Sequence, residues 1–290
     1  MDYLSVWKSN GIEYQEHVLG ATLSTFRAGG EVDLVVYPND QTQLQIVIDS
    51  LKGVKYHLFG LGSNTLVSDS GLKVVVCTKR MQGIEKEGDD LVCFAGEAMP
   101  KVAKYALESG LTGAEWMTGI PGSIGGAIKM NAGAYGHGMA DIVVKVLTLW
   151  DGEARWVEAK DLKFGYRTSS LKGIVVKAVL RLSPKDRAAI ASTMEQIALT
   201  RARTQPHEPS LGSVFKAYQG RPAAPYIQAA GMKGVKIGQA KVSGLHCNFI
   251  VNQGGATARD YLRLADSVQQ KVYEQAGIRL EREFVLATDE

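Results

Sequence analysis

One stretch of the sequence decides which fold to expect: Gly119-Ile120-Pro121-Gly122-Ser123-Ile124-Gly125-Gly126-Ala127. Glycine has no β-carbon, so the backbone N–H groups of such a run can converge on an anion without steric interference. Because glycines cost conformational entropy on folding, so dense a run more often serves a close approach of backbone to a ligand than a plain turn. The spacing matches neither the GxGxxG motif of a dinucleotide-binding βαβ unit nor a P-loop. The stretch therefore predicts an anion cradle of another fold.

A second glycine loop precedes it, and a glycine-rich tail follows it. The loop reads Gly60-Leu61-Gly62-Ser63-Asn64-Thr65, and the tail reads Met130-Asn131-Ala132-Gly133-Ala134-Tyr135-Gly136. Taken alone, the six-residue loop is as consistent with a tight turn as with a ligand site. Two such loops in one domain suit a diphosphate that lies between them.

Short valine-rich segments predict β-strands in the first two thirds of the chain, over residues 33–37, 56–59, 74–77, 91–95, 143–150 and 174–182. Helical spacing of apolar residues predicts helices over 40–52, 99–109, 185–203 and 258–276. Asp40 is the expected N-cap of the first helix, and Gly110 the expected glycine after the second. Thr257 and Asp260 form a capping-box pattern before the last helix.

The predicted strands outnumber the predicted helices and do not alternate regularly with them, as they would in a doubly wound parallel sheet. The chain is therefore predicted to have an α+β fold. Its 290 residues suit about two domains. A boundary is expected around residues 185–205, because strands give way near Pro184 to a long polar helix and then to a loop with prolines and glycine.

Composition excludes several classes of protein. Lys and Arg total 33 against 30 Asp and Glu, and no dense basic stripe indicates a nucleic-acid partner. No apolar stretch reaches the ~18 residues of a membrane span. Cys77, Cys93 and Cys247 are far apart with apolar neighbours, which predicts buried thiols rather than disulfides or a zinc site. With no signal-peptide pattern in residues 1–8, the expected location is the cytoplasm.

Several motifs, in the same order along the chain, resemble those of the bacterial UDP-N-acetylenolpyruvoylglucosamine reductases, flavoenzymes of peptidoglycan precursor synthesis. The two glycine loops belong to this set. The other members are Ser24-Thr25-Phe26-Arg27-Ala28-Gly29-Gly30, Phe164-Gly165-Tyr166-Arg167-Thr168-Ser169, Gly212-Ser213-Val214-Phe215-Lys216 and residues 242–252. Together they cover nearly the whole chain.

The resemblance implies a vanillyl-alcohol-oxidase type of FAD-binding fold. Residues 1–190 would form the FAD-binding domain, in two subdomains split near 75–80, and residues 191–290 a substrate-binding domain. FAD would be bound non-covalently, with its pyrophosphate on backbone amides of the glycine loops. The implied cofactor-binding residues are Gly60, Leu61, Gly62, Ser63, Asn64, Thr65, Gly119, Ile120, Pro121, Gly122, Ser123, Gly125, Gly126, Ala127, Asn131 and Gly133.

The implied reaction takes a hydride from NADPH through FAD to the enolpyruvyl ether of a UDP-sugar, which yields UDP-N-acetylmuramate. Arg167 would stabilise the negative charge that develops on the substrate, with Glu283 as its carboxyl partner. Ser213 would donate the proton to carbon. Tyr166 and Lys216 are candidates for contacts with the substrate or NADPH.

Each of these residues has a plainer interpretation when the family is set aside. Arg167 would be a surface cation, Glu283 a solvated carboxylate and Ser213 an ordinary strand residue. Tyr166 would be a core tyrosine and Lys216 a solvated lysine. The sequence favours packing over catalysis for His246. For Phe26, Trp116 and Trp150, core packing and a flavin-pocket wall stay open alternatives.

Three departures from the family pattern fall on the expected substrate side. Ala217 follows Lys216 where the family has asparagine, Gly244-Leu245 replaces Glu-Lys, and Val285 replaces arginine. Because each change removes a polar or charged group, an alternative is an FAD-dependent oxidoreductase of the same fold with a different acceptor. A non-catalytic flavin-binding protein is a third interpretation, which the intact Arg167, Ser213 and Glu283 disfavour. We expect a UDP-sugar substrate, no metal, and a monomer or weak dimer.

Overall fold

The chain folds into many short strands and a few helices. The computed structural model describes residues 3–290. The strands are β1 (Glu13–Leu19), β2 (Glu31–Tyr37), β3 (His57–Phe59), β4 (Thr65–Val67), β5 (Leu72–Cys77), β6 (Ile84–Glu87), β7 (Asp90–Phe94), β8 (Leu111–Thr112), β9 (Gly133–Ala134), β10 (His137–Gly138), β11 (Val143–Trp150), β12 (Glu153–Glu158), β13 (Ile174–Arg181), β14 (Ser183–Pro184), β15 (Ser210–Ser213), β16 (Lys236–Ile237), β17 (Ala240–Val242), β18 (Phe249–Asn252) and β19 (Val285–Ala287). The helices are α1 (Tyr3–Ser9), α2 (Gln41–Ser50), α3 (Met99–Glu108), α4 (Ile124–Lys129), α5 (Met139–Ile142), α6 (Arg187–Thr204), α7 (Ala224–Ala229) and α8 (Ala258–Ala276).

The helix ends follow their sequence signals. Asp40 accepts a hydrogen bond of 2.8 Å from the N–H of Gln43 at the start of α2. The hydroxyl of Thr257 accepts from the N–H of Asp260 at 3.0 Å, and the Asp260 carboxylate accepts from the Thr257 N–H at 3.2 Å. Gly110 follows α3 with φ of +68°, a conformation that glycine adopts without strain. The predicted caps are confirmed.

Within residues 3–290, the strands form six sheets. The two largest antiparallel sheets are a five-stranded sheet in the order β12-β11-β13-β7-β6 and a four-stranded sheet in the order β15-β18-β17-β16. A further four-stranded sheet has the order β1-β2-β5-β3. Parallel pairing occurs where β3 meets β5 and where β19 meets β4. This mixture, without regular βαβ alternation, is the predicted α+β fold.

The chain divides into two compact units. The first comprises the described part of Met1–Gln15, Val35–Leu61 and Val74–Arg201. Its core lies between the five-stranded sheet and helices α3 and α4, where Trp116, Met117 and Ile128 are fully or almost fully buried. Two of the three cysteines, Cys77 and Cys93, are buried in this unit. Burial raises the pKa of Cys77, and it raises that of Cys93 to about 12.

The second unit comprises Glu16–Leu34, Gly62–Lys73 and Ala202–Glu290. Its core gathers around α8, with Tyr261 fully buried between the rings of Phe26 and Phe284 at centroid distances of 4.7 and 5.0 Å. Cys247 is buried here. The chain passes into this unit after Arg201, and two earlier segments also belong to it. The predicted extents of an FAD-binding and a substrate-binding domain remain a prediction.

None of the helices among residues 3–290 combines the length and the apolar composition that a membrane crossing requires.

Candidate functional site

The two glycine loops meet in the first unit at Gly60 and Ser123. A β-carbon added to Gly60 would lie 2.2 Å from the hydroxyl oxygen of Ser123, well inside van der Waals contact. Ser123 is the N-cap of α4, and its hydroxyl accepts a long hydrogen bond of 3.4 Å from the Gly126 N–H. Glycine at position 60 is therefore required for the loop to pass this close to the start of α4.

The second loop is fixed to the end of β7. The N–H of Ile124 donates to the Glu97 carbonyl at 2.9 Å, and the N–H of Gly125 donates to the Ala95 carbonyl at 2.8 Å. A β-carbon on Gly125 would lie 3.1 Å from that of Ala95. Close packing against Ala95 therefore favours glycine at position 125. Gly126 is exposed, with only the Ser123 hydroxyl near its missing β-carbon, at 3.4 Å.

Backbone donors are available in both loops. Within residues 3–290, the N–H groups of Gly62, Ser63 and Asn64 have no protein acceptor, and neither has that of Ser123. The hydroxyl of Thr118, directly before the second loop, is buried and unpartnered in the described chain. Because buried polar groups are normally hydrogen-bonded, the donors of each loop, taken separately, fit contact with an anionic group.

A cavity of about 320 Å³ opens in the first unit beside the tail of the second glycine loop. It brings together four of the predicted residues, Asn131, Gly133, Tyr166 and Arg167. Its other lining residues are Ala134, Gly136, His137, Gly138, Ala140, Asp141 and Gly165. His137 and Asp141 carry titratable groups that the sequence patterns do not single out, because neither belongs to a motif with a chemical signature.

Arg167 sits in a strained position at the cavity. Gly165 and Thr168 exchange backbone hydrogen bonds of 3.0 and 3.3 Å around the two-residue turn Tyr166-Arg167. Arg167 has φ of +55°, which costs a non-glycine residue conformational energy. Its guanidinium donates to the Gly133 carbonyl at 3.2 Å and lies 5.0 Å from the centre of the Tyr166 ring. Tyr166 is 55% exposed, so it is not the core tyrosine of the plainer interpretation.

Ser213 and Glu283 lie on neighbouring segments of the second unit. Phe215 pairs with Arg282 in antiparallel fashion, and the N–H of Glu283 donates to the Val214 carbonyl at 2.8 Å. The two predicted catalytic residues are therefore brought together across adjacent backbone segments, although 70 positions separate them in the sequence. Both are partly buried, which leaves their side chains accessible to a ligand.

Lys216 lies on the same segment as Ser213. Its ammonium group forms an ion pair of 2.5 Å with the carboxylate of Glu281, and its side chain is only 23% exposed. The lysine is therefore neither freely solvated nor deeply buried. Glu281 has no signal in the sequence, because the pairing of the two segments that joins it to Lys216 is non-local.

The structure separates the three aromatic residues that the sequence left open. Phe26 and Trp116 are buried core residues, whereas Trp150 is 39% exposed, with Arg155 and Lys172 over its ring. Core packing is thus wrong for Trp150, because it ends an edge-adjacent strand next to a turn. His246 packs on Phe249 at 4.8 Å, as predicted, and burial lowers the pKa of its imidazole.

The departures from the family pattern are visible on the surface of the second unit. Leu245 is 52% exposed and Val285 is 49% exposed. Both apolar side chains therefore stand where water reaches them. Neither replaces a polar group inside the core.

Two family models match the chain. The FAD binding domain matches residues 32–159, and the C-terminal domain of UDP-N-acetylenolpyruvoylglucosamine reductase matches residues 205–287. The first match covers the second glycine loop. The second covers Ser213, Lys216 and Glu283.

Curated relatives carry the same reductase name over nearly the whole chain. The enzyme of Geobacillus kaustophilus is 40% identical over 274 residues, which is 91% of this chain and 90% of the relative. The enzyme of Bacillus subtilis is 38% identical over 273 residues, again 91% of this chain and 90% of the relative.

Solved structures agree. The crystal structure of UDP-N-acetylenolpyruvylglucosamine reductase from Thermus caldophilus matches with a TM-score of 0.83 and 32% identity, over 96% of this chain and 99% of that one. Berberine bridge enzyme from Eschscholzia californica matches with a TM-score of 0.52 and 16% identity, over 64% of this chain and 44% of that one. This second likeness concerns the fold alone.

Proposed function

The chain belongs to the UDP-N-acetylenolpyruvoylglucosamine reductase family, and from that membership we propose how its own residues bind the cofactor and perform the reaction. The protein is an FAD-dependent oxidoreductase that uses NADPH to reduce UDP-N-acetylglucosamine enolpyruvate to UDP-N-acetylmuramate in peptidoglycan precursor synthesis. Family membership favours this substrate over the alternative of a different acceptor.

FAD is held through backbone donors in our proposal. The unpartnered N–H groups of Gly62 to Asn64 support a role for the first loop in binding the cofactor, and the unpartnered N–H of Ser123 independently supports such a role for the second loop. Gly126, exposed and without a β-carbon, supports close approach of the cofactor to the start of α4. When bound, FAD supplies the transfer of a hydride from NADPH to the substrate carbon.

Arg167 supplies positive charge in this proposal. Hydride addition to the enolpyruvyl double bond develops negative charge on the carbon that bears the carboxylate and on the carboxylate itself. A guanidinium is a fixed cation with a planar set of donors, which suits a carboxylate. The strained turn that presents Arg167 at the cavity supports this role, since backbone strain concentrates at functional sites.

Ser213 and Glu283 complete the chemistry as we propose it. Ser213 donates its hydroxyl proton to the carbanionic carbon, and Glu283 polarises the intermediate through its carboxyl group. The main support for this proposal is the hydrogen bond from the Glu283 N–H to the carbonyl of Val214, the residue after Ser213. A serine hydroxyl is a weak acid, so a neighbouring carboxyl group supports its function as a proton donor.

Tyr166 and Lys216 contact the substrate or NADPH in the same proposal. Tyr166 is exposed at the cavity, where its ring can pack on a ligand. The Lys216 ammonium is held in place by Glu281, which supports recognition of an anionic group such as a diphosphate. We propose further that the protein works in the cytoplasm as a monomer or weak dimer.

An anaerobic experiment tests the assignment. The flavin of the purified protein is reduced with NADPH, the UDP enolpyruvyl sugar is added, and flavin reoxidation is followed by absorbance. We expect rapid reoxidation in the wild type, and slow reoxidation with normal reduction in Ser213→Ala. Ser192→Ala, at an exposed serine of α6 outside the proposed site, serves as the control. Flavin that stays reduced in the wild type would overturn the assignment.

A further inference from the structure

Asparagine side chains contact the backbone beside each proposed catalytic residue. Asn131 uses both ends of its side-chain amide. Its amide nitrogen donates to the Gly165 carbonyl at 2.8 Å, and its amide oxygen accepts from the Ala140 N–H at 3.1 Å. Gly165 begins the turn that presents Arg167, so the amide fastens that turn to the start of α5.

Asn64 makes a similar contact to the segment of Glu283. Its amide nitrogen donates to the Glu283 carbonyl at 3.1 Å, and its own carbonyl accepts from the Val285 N–H at 2.9 Å. The first glycine loop thus carries a residue whose side chain binds the Glu283 carbonyl and whose main-chain carbonyl binds the N–H of Val285, two residues further on.

Asn248 is the third asparagine, and its side chain binds the segment that contains Ser213. Its amide oxygen accepts from the Phe215 N–H at 3.0 Å and its amide nitrogen donates to the Phe215 carbonyl at 2.8 Å. The side chain is 6% exposed. In addition, the carbonyl of Asn248 accepts from the Val214 N–H at 2.8 Å.

Asparagine suits this task because one planar group carries a donor and an acceptor, the same pair that a peptide unit offers. A backbone segment outside a regular sheet has N–H and C=O groups that need partners, and such an amide supplies both. Aspartate has the same shape but only acceptors when ionised, so it would repel the carbonyl that asparagine binds.

We propose that Asn64, Asn131 and Asn248 are positioning residues that fix the backbone of the Glu283, Arg167 and Ser213 segments respectively. This inference rests on the proposed function of those three residues. It also changes the expected role of Asn64 and Asn131. Their amide donors bind catalytic segments of the protein, so the side chains act through those segments. The first glycine loop and the glycine-rich tail 130–136 therefore have a second role besides their proposed contacts with the cofactor.

The strained turn makes the effect of Asn131 the easiest to measure. A residue at φ of +55° keeps that conformation only when its surroundings determine it. Removing the Asn131 donor lets the turn relax and displaces the guanidinium. A displacement of about 1 Å in a catalytic group can cost roughly 100-fold in rate.

The test compares the two half-reactions of the FAD-loaded enzyme. For Asn131→Asp we expect NADPH to reduce the flavin within about twofold of the wild-type rate, and the enolpyruvyl substrate to reoxidise it at least about tenfold more slowly. Flavin content should be unchanged. Asn131→Gly tolerates the φ of +42° at this position and lacks the amide, so it gives the same readout if the aspartate variant folds poorly. Asn10→Asp is the matched control, because the exposed Asn10, directly after α1, also donates to a backbone carbonyl, that of Val6 at 2.8 Å.

A double-mutant cycle separates positioning from general damage. If Asn131 acts through Arg167, the variant Asn131→Asp/Arg167→Lys reoxidises no more slowly than Arg167→Lys alone. The proposal would be overturned if the rate losses of the two single substitutions multiplied in the double variant. It would also be overturned if Asn131→Asp slowed flavin reduction and flavin reoxidation equally. If Arg167→Lys alone reoxidises at the wild-type rate, the proposed role of Arg167 fails, and with it the role of Asn131.

The same pair of measurements applies to the other two asparagines. Asn248→Asp and Asn64→Asp should slow reoxidation at least about tenfold and should not add to Ser213→Ala and Glu283→Gln respectively. Loss of flavin from Asn64→Asp with a normal reoxidation rate for the remaining holoenzyme would identify Asn64 as a cofactor residue instead. Asn39→Asp, at another exposed position, is the control for both.

Discussion

Gly60 and Ser123 stand so close that a methyl group on Gly60 would lie 2.2 Å from the serine hydroxyl. Gly60→Ala therefore forces Ser123 out of its capping position at the start of α4. The loss of a serine N-cap costs about 1 kcal/mol. We expect chemical denaturation to show a loss of roughly 1–2 kcal/mol in the free energy of unfolding, together with weaker FAD binding.

The double variant Gly60→Ala/Ser123→Gly is the control for that contact. Glycine at position 123 leaves room for the new methyl group, and glycine is a tolerated N-cap. The double variant should therefore be more stable than Gly60→Ala. Equal or greater destabilisation would mean that the alanine is rejected for a reason other than Ser123.

Gly126→Ala separates cofactor binding from folding. The missing β-carbon faces open space apart from the Ser123 hydroxyl at 3.4 Å, and alanine in a helix is more stable than glycine by about 0.5–1 kcal/mol. We expect the apoprotein to melt at the same or a higher temperature, while titration shows weaker FAD binding. Gly244→Ala, at a glycine with nothing within 4 Å of its missing β-carbon, should change neither quantity. Unchanged FAD affinity in Gly126→Ala would remove Gly126 from the cofactor site.

Gly125 gives a different expectation. A side chain there meets the Ala95 β-carbon at 3.1 Å and the Ala95 carbonyl oxygen at 3.2 Å. Gly125→Asp should therefore lower the melting temperature as well as the flavin content. Stoichiometric FAD in a fully stable Gly125→Asp protein would contradict the assignment of this loop.

Elements of both units could be predicted where their sequence signals are local. The valine-rich run 143–150 coincides with β11 at both ends, and residues 258–276 coincide with α8, since a capping box opens the helix. Strands such as β16 and β17, of two and three residues, are too short for an alternating pattern to identify. The exposed strand β12 has no buried face to impose one.

The site could be predicted only in part, for a related reason. A glycine loop can be recognised from its composition. The neighbours of Glu283, in contrast, depend on the pairing of residues 213–216 with residues 281–283. Such pairing depends on tertiary structure. The motif match singled out Ser213 and Glu283, but nothing in the pattern indicated Glu281 or the asparagine contacts, which follow from folded geometry alone.

Arg167→Gly tests whether the turn is strained. Glycine reaches φ of +55° without steric cost, whereas lysine at the same position keeps that cost. Both substitutions remove the guanidinium, so both should slow flavin reoxidation by the enolpyruvyl substrate by about 100-fold or more. In urea denaturation, Arg167→Gly should be more stable than Arg167→Lys by about 1 kcal/mol. Equal or lower stability of the glycine variant would mean that the strain in the turn does not exceed the entropy that glycine costs on folding, about 0.5–1 kcal/mol.

His246 should make folding stability depend on pH. Burial lowers the pKa of its imidazole below the ordinary value of 6.5, and its Nδ1 accepts a hydrogen bond of 3.3 Å from the Asn248 N–H. The folded protein therefore favours the neutral ring, while the unfolded chain takes up a proton as the pH falls through about 6.5. The stability due to this histidine is fully present above that pH and is lost as the pH falls towards the lower pKa of the folded state.

Urea denaturation at pH 7.5 and pH 5.5 measures the effect against a variant. The free energy of unfolding should fall further between these two pH values for the wild type than for His246→Gln, which cannot take up the proton. Carboxylates that titrate in the same range affect both proteins equally and cancel in the comparison. His207→Gln, which removes an exposed histidine, should behave as the wild type does. An identical pH dependence in the wild type and His246→Gln would mean that protonation of His246 costs the fold nothing, and that the hydrogen bond from the Asn248 N–H does not restrain its ring.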